Sequence, residues 1–260
     1  LGFERTNPAG GYPMYDGKGH GNIDIRLSEE GFEAKGNIEY EGAILESQNI
    51  IMTPDYTSAQ AKSYVITENE KYPNLAAEDI TTKWLPNQDS MFIYTNDHEV
   101  TVLRDNQQFT GNLVHTSQQL SGAGSLVWDK ASLKSPDMKF KPNEVKALVS
   151  DVEINALDKN KIAFSSKNLN SHVDFTTQMG DFKSNIVGNL TALPFNQFST
   201  SMDQFKWDMA NNTIEFNKGP QLLKSKSYFV SNKYDQEGLR FESTNALFDI
   251  NKGIIYAKEV

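Results

Sequence analysis

The sequence of 260 residues contains no cysteine. Disulfide bonds and thiolate metal sites are therefore excluded outright. The absence fits a bacterial extracytoplasmic protein that avoids mispaired thiols, and it fits a cytosolic protein as well. The absence of cysteine therefore restricts the chemistry of the chain but does not decide its cellular compartment.

Long apolar runs and an excess of basic residues are missing too. No apolar stretch approaches the length of a transmembrane helix, and no signal peptide opens the chain. The net charge of −9 and the pI of about 5.0 argue against a large basic face for nucleic acid. We therefore predict neither a nucleic-acid partner nor a transmembrane segment.

The ends of the chain predict that it is part of something longer. It starts at Leu1 instead of Met, and Val260 falls in the middle of an apparent strand. No linker or shift in composition divides it. We therefore expect one elongated β-repeat domain over residues 1–260, which is a fragment or processed form of a longer protein.

The clearest structural pattern lies near the C-terminus, at residues 205–216. Phe205 and Trp207 alternate with polar residues, as do Ile214 and Phe216, and period-two alternation places each set on one face of a sheet. The segment between them, Ala210–Asn212, contains two Asn residues, which tolerate the left-handed backbone of a tight turn. The segment predicts a strand, a turn and a second strand.

Similar strand–turn–strand segments recur along the chain. Each segment contains one apolar anchor residue, and the five anchors are Trp84, Trp128, Val173, Trp207 and Phe248. Successive anchors are separated by 44, 45, 34 and 41 residues. A period near 40 residues is typical of stacked or radially repeated β architectures. We predict an all-β fold, an elongated antiparallel or solenoid-like stack of sheet built from repeated hairpins of about 40 residues. A β-propeller or a β-sandwich is the alternative, although the Gly-His signature of propeller blades is missing.

Two segments depart from the strand pattern. Residues 1–21 are rich in Gly and Pro and predict an irregular start. Residues 56–70 are predicted as the one helix, around Ser58–Tyr64, although a long apolar stripe is lacking.

Few residues have the spacing of a reactive site. Asp16–Asn22 resembles a phosphate-binding loop, but such loops open a helix, and here a strand follows; a turn is the better interpretation. The four histidines show neither i, i+4 nor His-x-His spacing, and there is no Gly-x-Ser-x-Gly nucleophile motif. The four histidines are His20, His98, His115 and His172. We predict no catalytic residues, no metal ligands and no cofactor.

Four aspartates open predicted turns, and they are Asp129, Asp174, Asp208 and Asp249. Repeated carboxylates along one edge of a sheet could bind Ca²⁺ or serve a polysaccharide-cleaving enzyme. Alternatively, each Asp accepts hydrogen bonds from the backbone N–H groups that follow it and so starts its turn. The turn role is favoured because it requires one Asp per repeat, whereas calcium loops carry denser acids.

The three tryptophans, Trp84, Trp128 and Trp207, are the candidate ligand-contact residues, because a row of indole rings could stack on sugars. An aromatic side chain at a constant register of alternating strands is more often part of a core, where burial is worth on the order of 2–3 kcal/mol. Burial in the core is the favoured interpretation.

The segment Lys206–Asn212 and the segment Phe241–Asp249 resemble the repeat modules of large Bacteroidetes cell-envelope proteins of unknown function. More distantly they resemble the β-jellyroll modules of the lipopolysaccharide-transport (organic-solvent-tolerance) family. In that family, folded-over sheets stack end to end and line an apolar groove for lipid. The resemblance implies an elongated β module, placement in the periplasm or at the outer membrane, and no catalysis.

We therefore expect a non-catalytic structural or interaction module of a bacterial cell-envelope protein, whose partners are neighbouring modules that cover the Val260 end. One alternative is a protein with a lipid- or lipopolysaccharide-binding groove, which requires an unfilled apolar interior. Another is a carbohydrate-binding or carbohydrate-active protein, which requires exposed aromatics in a row or two carboxylates in a cleft.

Overall fold

The computed structural model describes residues 3–5, 11–28, 31–104, 106–219 and 227–258. The chain folds into two compact units. Unit 1 comprises residues 1–124 and 139–142, and unit 2 comprises residues 125–138 and 143–260. The prediction of one domain over residues 1–260 stays a prediction.

Unit 1 is built from antiparallel strands that pair mainly in chain order. Each of β3 to β7 pairs with the next, β8 and β9 both pair with β7, and both pair again with β10. The strands are β1 (Phe3–Arg5), β2 (Tyr12–Met14), β3 (Gly19–Ser28), β4 (Gly31–Tyr40), β5 (Ala43–Met52), β6 (Thr57–Ile66), β7 (Leu75–Leu85), β8 (Ser90–Tyr94), β9 (Val100–Val102) and β10 (Gln108–His115). The division between the units falls within the next two strands, β11 (Leu120–Trp128) and β12 (Ala131–Lys141).

Unit 2 continues the antiparallel pattern and then branches. After β13 and β14, one series of pairs runs β14–β15–β18–β19–β22–β23 and the other runs β14–β16–β17–β20–β21. The strands are β13 (Glu144–Asn155), β14 (Ile162–Asp174), β15 (Met179–Ser184), β16 (Thr191–Leu193), β17 (Phe198–Thr200), β18 (Gln204–Asp208), β19 (Thr213–Asn217), β20 (Tyr228–Ser231), β21 (Arg240–Glu242), β22 (Asn245–Asp249) and β23 (Ile254–Lys258).

The prediction of an all-β fold of repeated antiparallel hairpins is confirmed. The segment of residues 205–216 is the β18–β19 hairpin, in which Phe205 lies opposite Phe216 and Trp207 lies opposite Ile214. All four side chains are buried, as their alternation with polar residues requires. The described residues hold short 3-10 turns, such as Pro86–Gln88, and no α-helix.

The long strands share a bend that interrupts their alternation. In β5 and β13 the buried and exposed positions alternate, then two successive residues face solvent, and then alternation resumes. The exposed pairs are Gln48–Asn49 and Leu148–Val149, and the pairing register shifts beside each of them. An extra residue in one strand is a β-bulge, which bends the strand and lets two neighbours point outward.

A buried serine accompanies several bends. The Ser47 hydroxyl donates to the Gln60 carbonyl of the next strand at 2.6 Å, and the Ser150 hydroxyl donates to the Leu169 carbonyl at 3.1 Å. Both serines are fully or almost fully buried. Because a bulge disrupts the backbone ladder, the hydroxyl supplies a hydrogen bond to a carbonyl of the next strand beside the bulge.

The predicted helix at residues 56–70 is wrong. Thr57–Ile66 is strand β6, paired with β5 and β7 on either side, and its Ala59, Ala61 and Tyr64 are buried. Alanine favours helices on its own, but pairing on both sides and small side chains that fit the interior decide the outcome. The predicted irregular start is also incomplete, since β1, β2 and the beginning of β3 lie within it.

Candidate functional site

An open apolar cleft lies in unit 1, beside the ends of β2 to β5. Its volume is about 480 Å³, and its walls are mostly apolar side chains. They include Met14, Tyr15, Ile23, Ile25, Phe32 and Met52. A concave, apolar surface of this size is within the usual range for small-molecule sites.

The strand registers explain why these side chains converge. Phe32 lies opposite Leu27 of β3, and the pairing of Glu33 with Ile51 places Phe32 beside Met52. Phe32 remains 39% exposed and Leu27 remains 43% exposed. Further along the sheet, the side chains on the same face are buried. Phe32 and Leu27 therefore mark the point where the interior of unit 1 opens to solvent.

One wall of the cleft is held by polar contacts. The Tyr15 hydroxyl donates to the Thr53 carbonyl at 2.9 Å and lies 2.7 Å from the Thr57 hydroxyl oxygen. The Tyr15 ring meets the edge of the buried Trp84 ring at a centroid distance of 5.0 Å. These contacts join the β2–β3 turn to β6 and to the residue that follows β5, and they form one wall of the cleft.

A second candidate surface is the outer edge of β23 in unit 2. Among the described residues, β23 pairs with β22 alone, from Ile254 opposite Asp249 to Lys258 opposite Asn245. Ile255 and Ala257 of β23 are only half-buried, although Phe248 and Ala246 opposite them are buried. An edge strand of this kind presents backbone N–H and C=O groups to a further strand.

The three tryptophans lie in the interiors of the units. Trp84 and Trp207 are 0% exposed and Trp128 is 6% exposed. In unit 2 the ring of Trp128 packs on the rings of Trp207 and Phe175, at centroid distances of 6.2 and 5.5 Å. Their rings therefore offer no stacking face to solvent. The other two anchors, Val173 and Phe248, are also 0% exposed.

Three of the four turn-opening aspartates accept backbone hydrogen bonds. Asp174 accepts from the N–H groups of Thr176 and Thr177 at 2.7 and 3.1 Å, Asp208 from that of Asn211 at 2.9 Å, and Asp249 from that of Lys252 at 3.1 Å. The turn role is thus confirmed for these three. Asp129 instead lies 3.7 Å from the Lys159 ammonium, with both side chains exposed.

The segment Asp16–Asn22, which resembles a phosphate-binding loop, consists of the end of the β2–β3 turn and the first four residues of β3, so it opens a strand and not a helix. It lines a pocket of about 340 Å³ together with Glu39 and Glu41. The Lys18 ammonium of this segment donates a hydrogen bond to the Pro86 carbonyl at 2.8 Å. In the described part of the chain, no group of three or more His, Asp or Glu side chains has the arrangement of metal ligands. His20 and His98 are exposed, and His172 is half-exposed and hydrogen-bonded to Glu144 at 3.1 Å.

His115 differs from the other histidines because it is fully buried, in unit 1. Its Nδ1 lies 2.8 Å from the Tyr64 hydroxyl, and the rings of Tyr40 and Tyr72 pack on it at centroid distances of 5.3 and 4.5 Å. Its Nε2 has no hydrogen-bond partner. The pKa of His115 is lowered to about 4, mainly by burial and also by the charge of Lys71, while the charge of Asp89 opposes the change.

Asp89 completes this polar cluster at the end of β7. Its carboxylate accepts hydrogen bonds from the Tyr40 hydroxyl at 2.8 Å and from the backbone N–H of Ser117 at 3.1 Å. Burial acts to raise the pKa of Asp89, but the hydrogen bonds from Ser117 and Tyr40 outweigh it and the pKa lies below its usual value. The sequence carried no signal for the cluster, since its members lie on separate strands.

Comparison with protein-family models, curated proteins and solved structures finds no match. Within the described residues, no helix has the length and apolar character needed to cross a membrane. Function is therefore inferred from the two surfaces described above, the apolar cleft and the edge of β23.

Proposed function

We propose that this chain is a non-catalytic structural or interaction module of a bacterial cell-envelope protein. The observation that carries the interaction role is the edge of β23, whereas the placement in a bacterial cell envelope rests on the resemblance of Lys206–Asn212 and Phe241–Asp249 to envelope-protein modules. Inner strands of the series β15–β18–β19–β22 each have a paired strand on both sides, whereas β23 has one on a single side in the described residues. The half-buried Ile255 and Ala257 mark an interior that one more strand would close.

The partner is a neighbouring module that presents an antiparallel strand of the same kind. Such a strand would satisfy the outer backbone groups of β23 and cover Ile255 and Ala257. The outward side chains Ile254 and Tyr256, each 44% exposed, would lie on the opposite face. The interaction is therefore by strand addition, with affinity supplied by main-chain hydrogen bonds.

Sedimentation velocity over a range of concentrations tests this proposal, with a second copy of the chain as the source of the added strand. We expect concentration-dependent association that Ala257→Lys abolishes, because an inward-pointing charge on an edge strand blocks further pairing. The matched control is Ile254→Lys, which places the same charge on the outward face of β23 and should leave association unchanged. A strictly monomeric wild-type chain, or equal loss in both variants, would count against strand addition at β23.

The apolar cleft of unit 1 favours a second candidate function, binding of a lipid acyl chain. The cleft is open, mostly apolar and large enough for part of an alkyl chain. Its walls come from β2 to β5, and further along the same sheet the interior is filled by Ile38, Leu45 and Tyr64, each no more than 1% exposed. This supports a site for one chain end in unit 1.

A naphthylamine dye that fluoresces in apolar surroundings tests the cleft, with a long-chain fatty acid as competitor. We expect the dye to bind, the fatty acid to displace it, and Met52→Glu to abolish both effects. Ile51→Glu is the matched control. The Ile51 side chain points to the face of β5 opposite to that of Met52, and it is already 46% exposed. Unchanged dye binding by Met52→Glu would refute this candidate.

A further inference from the structure

The β23 edge is complementary to itself. If a second β23 runs antiparallel beside the first and all of its residues are paired, Tyr256 of one copy lies opposite Tyr256 of the other. On the inner face, Ile255 then lies opposite Ala257 of the second copy, and both side chains are half-buried in a single chain. A large side chain faces a small one in each of these pairs, which favours close packing. The strand therefore fits a second copy of itself.

The outward face of the same pairing is also favourable. Tyr256 and Ile254 are each 44% exposed in a single chain. The two Tyr256 rings would lie directly opposite, and aromatic pairs at such positions stabilise antiparallel strands. Ile254 would lie opposite Lys258 of the second copy, whose aliphatic stem can cover it while the ammonium stays in water.

The charges near β23 permit this contact. The strand includes Lys258 and no acidic side chain. Where β22 ends, the Asp249 carboxylate lies 2.9 Å from the Lys252 ammonium. The net charge of −9 still opposes the approach of two copies, but this repulsion acts over a distance and is screened by salt. Association should therefore become stronger as the salt concentration rises.

A free edge in unit 1 is a less suitable partner for β23. In the described residues β2 pairs with β3 alone, and Pro13 stands in the middle of β2. Proline has no N–H to donate to a further strand, and it blocks the edges of natural sheets for this reason. Pairing of β23 with β23 instead covers both edges at once, so the assembly closes at two copies.

We propose that β23 pairs with β23 of a second copy about a two-fold axis at Tyr256, which gives a closed dimer. The inference rests on the proposed function, because it names the strand and the register that complete the β23 edge when the partner is a second copy. A single pair of short strands forms a small contact, so the dimer is weak and reversible. A neighbouring module with a longer or better matched strand can therefore replace the second copy.

Disulfide cross-linking tests the register directly, because the chain contains no cysteine of its own. Residues directly opposite in antiparallel strands have Cα atoms about 4.5–5.5 Å apart, which a disulfide can span. Under mild oxidation in about 0.5 M salt, Tyr256→Cys should form covalent dimers at least about tenfold faster than Tyr234→Cys. Tyr234 is the matched control, because its side chain is 100% exposed and lies outside β23. The same salt screens Lys258 from the lysine of Ile254→Lys, the control used in sedimentation.

A mixed pair of variants checks the register without changing Tyr256. Ile254→Cys and Lys258→Cys should each cross-link slowly alone, since identical positions would lie about 13 Å apart along the strand. When the two variants are mixed, they should cross-link as fast as Tyr256→Cys. Adding Ala257→Lys to Tyr256→Cys should remove the rapid reaction, because it places a charge on the inner face of the contact.

The results separate this inference from the proposed function. Association that depends on Ala257, with Tyr256→Cys no faster than Tyr234→Cys, would overturn the two-fold register and leave strand addition at β23 intact. Sedimentation that shows growth beyond two copies would overturn the closed dimer. A wild-type chain that stays monomeric in the same salt would contradict both the dimer and the addition of a strand from a second copy.

Discussion

Acidification should destabilise unit 1 through one side chain, His115. The imidazole is fully buried, its Nε2 has no partner, and its protonation would place a charge among three tyrosine rings. Because burial lowers the pKa of His115 from 6.5 to about 4, the unfolded chain binds this proton more readily than the folded chain. The free energy of unfolding therefore falls as the pH is lowered.

The structure sets both the pH window and the magnitude. The contribution of His115 is fully present above the unfolded pKa of 6.5 and is lost progressively as the pH falls towards the folded pKa of about 4. A difference of about 2.5 between these pKa values corresponds to about 3 kcal/mol. The charges that face the ring, Lys71 and Asp89, have opposite signs, so burial decides the direction.

Urea unfolding measured at several pH values between about 7 and 4.5 tests this reasoning, since most carboxylates remain ionised there. We expect the free energy of unfolding to fall across this range in the wild type and to be nearly constant in His115→Gln. His98→Gln is the control, because it removes a histidine whose side chain is exposed. An unchanged pH slope in His115→Gln would refute the assignment to His115, even if the variant is less stable at neutral pH.

Five further substitutions test the bends and the turns by urea unfolding. Ser150→Ala should cost about 1–3 kcal/mol, because it removes the donor to a buried carbonyl at the β13 bend. Asp208→Ala should cost about 1 kcal/mol by removing a turn hydrogen bond, whereas Asp129→Ala should cost less. Gly36→Ala should cost about 2 kcal/mol or more, because its φ is 130° and the added Cβ would overlap a backbone carbonyl oxygen. Gly42→Ala should cost about 1 kcal/mol, because Gly42 also has a positive φ but has open space around it.

Each of these comparisons has a result that contradicts it. Equal losses for Asp208→Ala and Asp129→Ala would show that the carboxylate does not act by capping its turn. Equal losses for Gly36→Ala and Gly42→Ala would show that the close approach of Gly36 in β4 to a backbone carbonyl oxygen does not add to the cost. A neutral Ser150→Ala would show that the hydroxyl is not needed at its bend.

Alternation of apolar and polar residues was enough to predict hairpins wherever two short strands flank a tight turn. Phe205 and Trp207 lie opposite Phe216 and Ile214 because each pair occupies the buried positions of its strand. The aspartates that start turns follow from local hydrogen bonding, which depends on residues only two or three positions apart. Both features are encoded within a few residues, so sequence alone predicts them.

The bends were not predicted, because they look like strand ends in the sequence. Residues 43–46 and 49–52 read as two short strands, but they are one strand, β5, with a bulge beside Ser47. The same polar interruption that predicts a turn is accommodated here by a serine hydroxyl bonded to the next strand. Alternation cannot distinguish these outcomes, since the partner carbonyl belongs to a residue 13 positions away.

The candidate sites depend on contacts between distant residues. The cleft forms where Met14, Phe32 and Met52 meet from three strands, and the environment of His115 comes from Tyr40, Tyr64 and Tyr72. Nothing in the spacing of these residues distinguishes them from others of their type. Their convergence follows from the registers of the strands, which only the fold reveals.

Hydrogen exchange measured strand by strand on the isolated chain, under conditions where it is monomeric, tests the proposed contact edge most directly. If β23 has one paired side, its outward amides should exchange far faster than those of β19 and β22, which are paired on both sides. Protection of all β23 amides to the level of β19 would mean that the edge is already covered, and it would contradict the proposal that a neighbouring module adds a strand there.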